Sequence, residues 1–363
     1  MVNITTPAPE SLCILRLSAV GDVCHTLPVV RTLQAAWPKT RITWIVGRLE
    51  ASLVGDIPGI EFITFDKSKG LGAYFALRRA LAGRRFNLLL HMQMSLRASV
   101  ASLNVNAPLK LGFDRERAHD FQWVFTNKRI WYKPRQHVMD SLFGFSEALG
   151  LSEHRLHWDI PVPAEAQAFA REQIPDGTAT LLISPCANPR FRNWRSWQPE
   201  YYAAVAEHAA EKHGLKVLVT GGTSEIEKAY GERISALART PMTNLVGRTS
   251  LKQLMGLLER GTALISPDSG PVHMGTAAGI PVIGLYATTN PDRAGPYMSQ
   301  RWRVNRYPDA LAKFNHQTPE EAPWGTRVRD AQAMECITVA DVTWKLDALM
   351  AAKLRGEKLL QEA

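Results

Sequence analysis

The stretch LISPDSGPVHM, at positions 264–274, combines a short apolar run with a glycine-proline turn and the start of a helix. A strand that ends near Ser266 and a helix that starts near Gly270 predict a strand–loop–helix unit. The first backbone N–H groups of such a helix have no helical partner, so together with the helix dipole they attract anions. Gly270 would let an anion approach the backbone closely, and His273 would lie on the first turn. The stretch therefore predicts a phosphate site in an α/β domain.

A plain helix cap would use the same residues in the same geometry. Asp268 or Ser269 would then serve as the N-cap, Pro271 would occupy the first helical position, and His273 would simply be packed. The small residues that follow, GTAAG at 275–279, fit a helix packed close to a sheet. Close packing of this kind favours the anion site.

The same strand-then-helix order runs along the whole chain. Apolar runs predict strands at 11–17, 42–46, 62–65, 87–91, 180–184, 216–220, 264–266 and 282–286. Helical patterns lie between them, and in one of these, at 71–83, Leu71, Phe75 and Leu81 recur at helical spacing. Short apolar strands alternating with helices predict mostly parallel, doubly wound sheets.

A proline-marked segment at 152–177 divides this pattern into two halves, because it shows no sustained periodicity. We expect an N-terminal domain at 1–160, a second domain at 161–338, and a C-terminal helix at 339–363 that packs back toward the N-terminal domain. A long irregular stretch, 288–337, precedes that helix. Ligands of open α/β sheets bind at the carboxyl ends of the strands. Two such domains facing across a cleft would therefore place one substrate on each side.

Composition limits the possible partners and compartments. The formal net charge of +9 over 363 residues indicates an anionic partner, such as nucleic acid, anionic lipid or a phosphorylated substrate. A basic surface that serves only solubility explains the charge equally well, and no nucleic-acid motif accompanies it. No apolar run reaches the ~20 residues of a membrane-spanning helix, and the first residues do not resemble a secretory signal. The four scattered cysteines fit reduced thiols in a cytoplasmic enzyme.

Three further strand-to-helix loops carry polar side chains. Asp22 could act as a general base toward a hydroxyl, although its spacing favours an ordinary cap. Arg190 and Arg192 could clamp a pyrophosphate or could be solvated loop charges. Glu225 could accept hydrogen bonds from a ribose or could be a first-turn acid that the helix dipole favours. The loop after the first strand lacks G-x-G-x-x-G, which argues against a dinucleotide cofactor.

Basic residues of the first half cluster in loops. A phosphorylated acceptor at a membrane surface would explain them, and so would nonspecific surface charge. The clustered residues are Arg78, Arg79, Arg84, Arg85, Arg97, Arg115, Arg117, Lys128, Arg129, Lys133 and Arg135.

Two stretches taken together, SAVGDVCHTLP at 18–28 and SPDSGPVH at 266–273, resemble the signature regions of glycosyltransferase family 9. This family comprises the ADP-heptose:lipopolysaccharide heptosyltransferases. The resemblance extends to HMQMSLRAS at 91–99, to RNW at 192–194 and to the glycine-rich turn before Glu225, in the expected order over nearly the whole chain.

The resemblance implies a GT-B fold of two Rossmann-like domains and an inverting, metal-independent transfer. A heptosyl group would pass from ADP-heptose to the Kdo or inner-core region of lipopolysaccharide, with no cofactor beyond the donor substrate. Asp22 would be the general base. The acceptor phosphates would be bound by Arg97, Arg115 and Arg117. The donor would be bound by Arg192, Glu225, Thr249, Asp268, Ser269, Gly270 and His273.

The resemblance also implies a cytoplasmic enzyme, peripheral to the inner membrane, that binds a phosphorylated lipid A–Kdo acceptor and no nucleic acid. Arg192 stands where heptosyltransferase I carries a lysine, and the stretch 301–332 has no counterpart in the family pattern. Two alternatives stay open. One is another GT-B enzyme with a different nucleotide sugar, either a transferase or a sugar-nucleotide epimerase. The other is a non-catalytic scaffold at a membrane surface.

Overall fold

The computed structural model describes residues 8–187 and 194–361. The chain divides into two compact units, Met1–Pro161 and Val162–Ala363, which we call unit 1 and unit 2. Each unit contains one parallel six-stranded sheet. The predicted doubly wound α/β class is therefore confirmed.

Unit 1 is built from alternating strands and helices. Its sheet has the strand order β3-β2-β1-β4-β5-β6. The central strands are buried throughout, because helices cover both faces of a parallel sheet. The strand order reverses between β1 and β4, and the loops after these two strands therefore border the crevice in which such sheets bind ligands. The elements are β1 (Ser11–Leu15), α1 (Val20–Ala36), β2 (Arg41–Gly47), α2 (Arg48–Val54), β3 (Ile60–Phe65), α3 (Leu71–Ala80), β4 (Leu88–His91), α4 (Leu96–Ser102), β5 (Leu109–Gly112), β6 (Lys128–Arg129) and α5 (Val138–Ala148).

Unit 2 repeats this topology. Its sheet has the order β12-β11-β10-β7-β8-β9, so the reversal falls between β7 and β10. The loops after β7 and β10 therefore border the second crevice. The elements are α6 (Ala164–Gln173), β7 (Thr180–Ile183), α7 (Pro199–His213), β8 (Lys216–Val219), α8 (Glu225–Leu237), β9 (Met242–Asn244), α9 (Leu251–Arg260), β10 (Ala263–Pro267), α10 (Gly270–Ala278), β11 (Val282–Tyr286), α11 (Pro291–Ala294), β12 (Val304–Asn305), α12 (Tyr307–Asn315) and α13 (Val339–Leu354).

Helix α10 packs as closely on its sheet as the small residues at 275–279 predict. A Cβ added at Gly275 would lie 2.8 Å from Cγ2 of Val282 and 2.9 Å from Cδ2 of Leu264. Glycine thus allows the helix to approach strands β10 and β11. Its N-terminus is thereby held at the carboxyl edge of the sheet.

The C-terminal helix does not form the separate element that the sequence predicts. Residues 339–363 belong to unit 2, and α13 packs against α7. Its apolar side, including Leu346 and Leu349, is buried in the same core as Trp197. On the polar side, Oδ1 of Asp347 lies 2.7 Å from Nε2 of His208 on α7. The apolar side of α13 therefore completes the core of unit 2.

Two other predictions from periodicity are corrected, and one is confirmed. The segment 152–177 contains the helix α6, which packs on α9. The stretch 288–337 contains α11, β12 and α12 rather than being irregular throughout. Helix α3 forms as predicted, with Ala73 and Leu77 buried and Leu71 and Phe75 exposed.

No helix among the described residues is long and apolar enough to cross a membrane.

Candidate functional site

Asp22 lies at the carboxyl edge of β1, in the crevice of unit 1. It is the third residue of α1, and its Oδ2 accepts a hydrogen bond from the N–H of Ala19 at 3.0 Å. The same Oδ2 lies 2.6 Å from Nη2 of Arg16, whose side chain is buried. Asp22 therefore caps α1 from inside the helix, a position where the helix dipole stabilises an acidic side chain. Its carboxylate is held by two donors at the strand switch point.

Gln93 fixes the loop that carries this carboxylate. The residue follows β4, and its Oε1 accepts hydrogen bonds from the N–H groups of Leu17 at 2.6 Å and Ser18 at 3.2 Å. Arg16 also donates to the carbonyl of Met92. The two loops at the switch point are thus bonded to each other. The stretch 91–99, which the sequence singled out only by resemblance, holds Asp22 in place.

Glu50 adds a second carboxyl group near this loop, and no sequence motif identified it. The side chain is buried at the start of α2, directly after β2. Burial raises its pKa, and the nearby Asp22 carboxylate raises it further. In the sequence, Glu50 looks like an ordinary acid in the first turn of a helix. Only the fold reveals that it lies near Asp22.

The three arginines predicted to bind the acceptor differ in their surroundings. Arg97 and Arg115 are exposed, and Arg115 lies over the ring of Trp123 at 5.8 Å. Arg117 is half-buried, pairs with Asp114, and donates to Oε1 of Gln136 at 2.8 Å. A third nitrogen of Arg117 donates to the carbonyl of Trp131 at 2.8 Å. Arg117 therefore braces the loop between β5 and α5, while Arg97 and Arg115 present charge to solvent.

In unit 2, hydroxyl groups from three strand ends are linked. Ser266 at the end of β10 donates to the carbonyl of Ser184, after β7, at 2.9 Å. Its Oγ also lies 2.9 Å from Oγ of Ser269, the N-cap of α10. Oγ of Ser184 lies 2.6 Å from Oγ1 of Thr220, after β8. This network is buried and fixes the entry to α10 at the switch point.

Asp268 is held by an arginine that the sequence analysis did not identify. Its Oδ2 lies 3.0 Å from Nη1 of Arg195, and the side chains of both are largely buried. Ser269 and His273 are also buried, and Gly270 begins the helix as predicted. The predicted strand–loop–helix unit at 264–274 therefore exists, and a fixed cation stands beside it.

More positive charge reaches this edge from the stretch after α12. Arg327 forms an isolated antiparallel bridge with Thr289, just after β11. Burial is the largest cause that lowers the pKa of Arg327, and the positive charge of Arg195 is the second. Arg293 and Arg329 add to the same positive field. Thr289 Oγ1 is buried and has no hydrogen-bond partner among the described residues. The stretch 301–332, which the family pattern left unplaced, thus contributes to the carboxyl edge of unit 2.

The turn after β8 is fixed by Glu227, two residues after the predicted Glu225. Glu227 Oε1 accepts from the N–H of Gly222 at 2.9 Å, and Oε2 accepts from the Ser224 hydroxyl at 2.6 Å. Glu225 projects into solvent and pairs with Lys228 at 2.8 Å. Thr249 is half-buried in the loop after β9. Both predicted residues follow strands of one sheet, at the edge that carries Asp268.

The remaining predicted donor residue, Arg192, lies outside the described residues, as does Arg190. Taken separately, each unit offers distinct chemistry. Unit 1 holds a carboxylate at its switch point, which is suited to accept a proton. Unit 2 holds a helix N-terminus with several arginines, which is suited to bind a diphosphate.

Known proteins resemble the chain over nearly its full length. The family model of glycosyltransferase family 9 (heptosyltransferase) matches residues 74–322. The lipopolysaccharide core heptosyltransferase OpsX of Haemophilus influenzae is 39% identical over 344 residues, 95% of this chain and 98% of that protein.

Solved structures share the fold. A glycosyltransferase family 9 structure from Veillonella parvula superposes with a TM-score of 0.76 at 21% identity, covering 94% of this chain and 97% of that one. The E. coli heptosyltransferase WaaC with ADP gives a TM-score of 0.71 at 19% identity, covering 93% and 99%. The GT-B fold class predicted from the two signature stretches is confirmed. The chain belongs to glycosyltransferase family 9, the heptosyltransferases.

Proposed function

We propose that this enzyme transfers a heptosyl group from ADP-heptose to the Kdo or inner-core region of lipopolysaccharide, with inversion at the anomeric carbon. The observation that carries the proposal is 39% identity over 95% of the chain to a lipopolysaccharide core heptosyltransferase. The carboxylate of unit 1 and the cationic helix start of unit 2 supply the two functions that such a transfer requires.

In unit 1, Asp22 is proposed as the general base. The acceptor hydroxyl loses its proton to the Asp22 carboxylate while its oxygen forms the new bond to the anomeric carbon of the donor. Arg16 and the Ala19 N–H hold the carboxylate at 2.6 and 3.0 Å, which supports a fixed orientation toward the substrate. General-base catalysis of this kind contributes about 10²- to 10⁴-fold to the rate.

In unit 2, the proposed role is to bind ADP and stabilise it as it leaves. The bond from the anomeric carbon to the β-phosphate oxygen breaks, and the electron pair stays on ADP. Negative charge that develops there is met by the N-terminus of α10 and by Arg195. Ser269, Gly270 and His273 contact the diphosphate, whereas Asp268 orients Arg195. Glu225 and Thr249 bind the nucleoside, and Arg192 is a further phosphate contact.

Acceptor recognition is proposed for the exposed guanidinium groups of Arg97 and Arg115, which suit the phosphates of a lipid A–Kdo acceptor. Arg117 is proposed as a third contact to the acceptor phosphates, and through Asp114 it also braces the loop that carries Arg115. We place the enzyme in the cytoplasm, peripheral to the inner membrane where such an acceptor is anchored. The transfer as proposed uses arginines and a helix dipole where other transferases use a metal ion.

An assay of ADP release tests the proposal. With ADP-heptose and a Kdo-lipid A acceptor, the wild-type enzyme should release ADP and extend the acceptor. Asp22→Asn should lower kcat by about 10²- to 10⁴-fold, because the amide cannot take the proton. ADP affinity should stay unchanged, because Asp22 lies in unit 1. Asp176→Asn, which alters an exposed carboxylate paired with Arg260, is the matched control. Full turnover by a folded Asp22→Asn enzyme would show that another group is the base.

Donor identity is tested separately from the base. Among nucleotide sugars, ADP-heptose should raise the thermal midpoint most at equal concentration, because the ligand that binds the native state most tightly stabilises it most. Stronger stabilisation by a uridine or guanosine sugar would instead favour the alternative of a GT-B enzyme with another donor. Turnover should survive chelation by EDTA, whereas loss of turnover that Mg²⁺ restores would contradict a metal-independent transfer.

A further inference from the structure

Unit 1 exposes a set of large apolar side chains around the starts of α3 and α4 and along the loop after β5. We call this set the apolar rim. Its exposed fractions run from 43% at Trp131 to 77% at Leu71. Apolar groups of this size on the surface mark interaction sites when they are contiguous. The rim comprises Leu71, Phe75, Leu96, Phe121, Val124 and Trp131.

Hydrogen bonds within unit 1 join the segments that carry the rim. Tyr74, on the same face of α3 as Leu71 and Phe75, donates from its hydroxyl to the carbonyl of Arg97 at 3.5 Å. At the start of α4, the N–H of Leu96 donates to Oδ2 of Asp120 at 3.1 Å. These two bonds join α3 to α4 and α4 to the loop after β5.

Further contacts lie within the loop after β5. The rings of Phe121 and Trp123 lie 5.5 Å apart, and Arg115 lies over the Trp123 ring at 5.8 Å. Arg117, in the same loop, donates to the carbonyl of Trp131 at 2.8 Å. The segments that carry the six apolar residues are therefore joined to one another.

Backbone conformation supports an outward role for Phe121. Asp120 and Phe121 both have positive φ, at 52° and 56°. A bulky residue rarely adopts the left-handed region, and outliers of this kind gather at functional sites. The Asp120 carboxylate holds the turn through the N–H of Leu96, while the aromatic ring remains 64% exposed. The loop thus keeps a large apolar ring in water at a conformational cost.

Positive charge surrounds these apolar groups. Exposed cations on the same elements are Lys67, Lys69, Arg78, Arg79, Arg97 and Arg115, and the nearby acids are Asp66, Glu116 and Asp120. Two of these three carboxylates already accept backbone N–H groups, from Ser68 and Leu96. Basic and apolar side chains interleaved on one surface are the pattern that binds anionic bilayers. A second copy of the chain would set these cations against one another, which opposes self-association.

We propose that the apolar rim docks unit 1 on an anionic lipid bilayer. The apolar side chains enter the boundary between headgroups and acyl chains, and the surrounding cations meet lipid phosphates. This surface rests on the proposed function in one respect, since a lipid-anchored acceptor gives the docking its use. The exposure of Leu71 and Phe75 on one helix follows from this role.

Vesicle sedimentation tests the rim. The wild-type chain should sediment with vesicles of phosphatidylethanolamine and phosphatidylglycerol, and less with vesicles of phosphatidylcholine alone. Leu71→Ser/Phe75→Ser and Phe121→Ser should each weaken this partition by about tenfold for each side chain that inserts. The changed side chains are exposed, so the fold should persist. Ile226→Ser and Trp344→Ser, at exposed apolar positions of unit 2, should bind vesicles as the wild type does.

Activity toward a water-soluble acceptor without acyl chains separates this proposal from the proposed function. The rim variants should turn over the soluble acceptor at the wild-type rate while losing vesicle binding. Absence of wild-type turnover would overturn heptosyl transfer and leave the sedimentation result standing. The docking proposal is overturned if the wild type ignores anionic vesicles or if the rim variants bind them equally well. It is also overturned if the wild type self-associates without binding vesicles and the rim variants are monomeric.

Discussion

Arg195 follows β7 and Arg327 follows α12, yet both place positive charge around the Asp268 carboxylate. One is fixed by an ion pair at 3.0 Å, and the other by the bridge to Thr289. Burial lowers the pKa of Arg327, and repulsion from Arg195 lowers it further, although an arginine stays charged at neutral pH. The Asp268 carboxylate offsets part of this repulsion. A diphosphate would relieve the repulsion.

Substitution of either arginine should therefore weaken nucleotide binding. Arg195→Gln and Arg327→Gln should each raise the Kd for ADP by about 10- to 100-fold, because a charge-assisted hydrogen bond contributes about 1.5–3 kcal/mol. Titration calorimetry at two salt concentrations measures the effect, which should shrink as salt rises. Arg195→Lys should recover part of the affinity. Arg239→Gln, which removes an exposed partner of Glu207, should change nothing. Wild-type affinity in Arg327→Gln would remove that residue from the site.

Single residues show what a sequence reveals about a site. Asp22 and the stretch 264–274 could be predicted, because each is a local strand-to-helix pattern. The partners Arg16 and Gln93 could not be assigned their contacts, because those contacts join the ends of β1 and β4, 76 positions apart. Arg195 carries no pattern of its own, and its importance depends on which strand lies beside β7.

At the scale of elements, the N-terminus of α10 depends on how closely that helix packs. Gly275→Ala should destabilise unit 2 by about 1–3 kcal/mol, because the new Cβ would lie 2.8 Å from Val282 and 2.9 Å from Leu264. Urea unfolding measures the change. Gly72→Ala in the exposed part of α3, where a Cβ meets only Lys69 at 3.7 Å, is the matched control. It should be neutral or stabilising, since alanine favours a helix. Equal stability of both variants would show that the sheet yields to α10.

Elements also show what periodicity leaves open about α3 and α13. A helical period locates a helix whether its apolar residues face a core or a partner outside the chain. In α3 the residues toward the core are the small Ala73 and the single Leu77, while Leu71 and Phe75 face outward. For α13, the sequence does not state which core receives the helix. The buried contacts with α7 decide that the helix belongs to unit 2.

At the scale of the whole molecule, two units of one topology carry different polar groups at equivalent strand ends. The reversal of strand order lies between β1 and β4 in unit 1 and between β7 and β10 in unit 2. Unit 1 places a carboxylate at this point, whereas unit 2 places a helix start and arginines. The repeat of strands and helices was evident from sequence, because the buried strands are short continuous apolar runs. The proposed roles depend on loop residues: local pattern indicated the anion site of unit 2, whereas the family resemblance favoured Asp22 as a base over a plain cap.

The buried His91 leads us to expect that unit 1 loses stability in mild acid. It ends β4, fully buried, with Nδ1 3.0 Å from Nε2 of Gln122, and burial lowers its pKa from 6.5 to about 4. Gln122 Oε1 accepts from the N–H of Phe113, which leaves Nε2 as the donor and Nδ1 as the unprotonated acceptor. Because the unfolded chain binds the proton more readily, stability is complete above pH 6.5 and falls as the pH drops toward 4.

The expected loss for unit 1 between pH 7 and pH 5 is about 2 kcal/mol of unfolding free energy, since each pKa unit is worth about 1.4 kcal/mol. Hydrogen exchange followed by mass spectrometry, in increasing urea at each pH, measures the two units separately. His91→Asn keeps an acceptor near the Nδ1 position but cannot be protonated, so it should flatten the pH dependence of unit 1. Peptides of unit 2 should keep their protection over this range in both proteins. If the wild-type unit 1 is equally stable at pH 5 and at pH 7, then the fold opens at β4 and water solvates the protonated ring of His91.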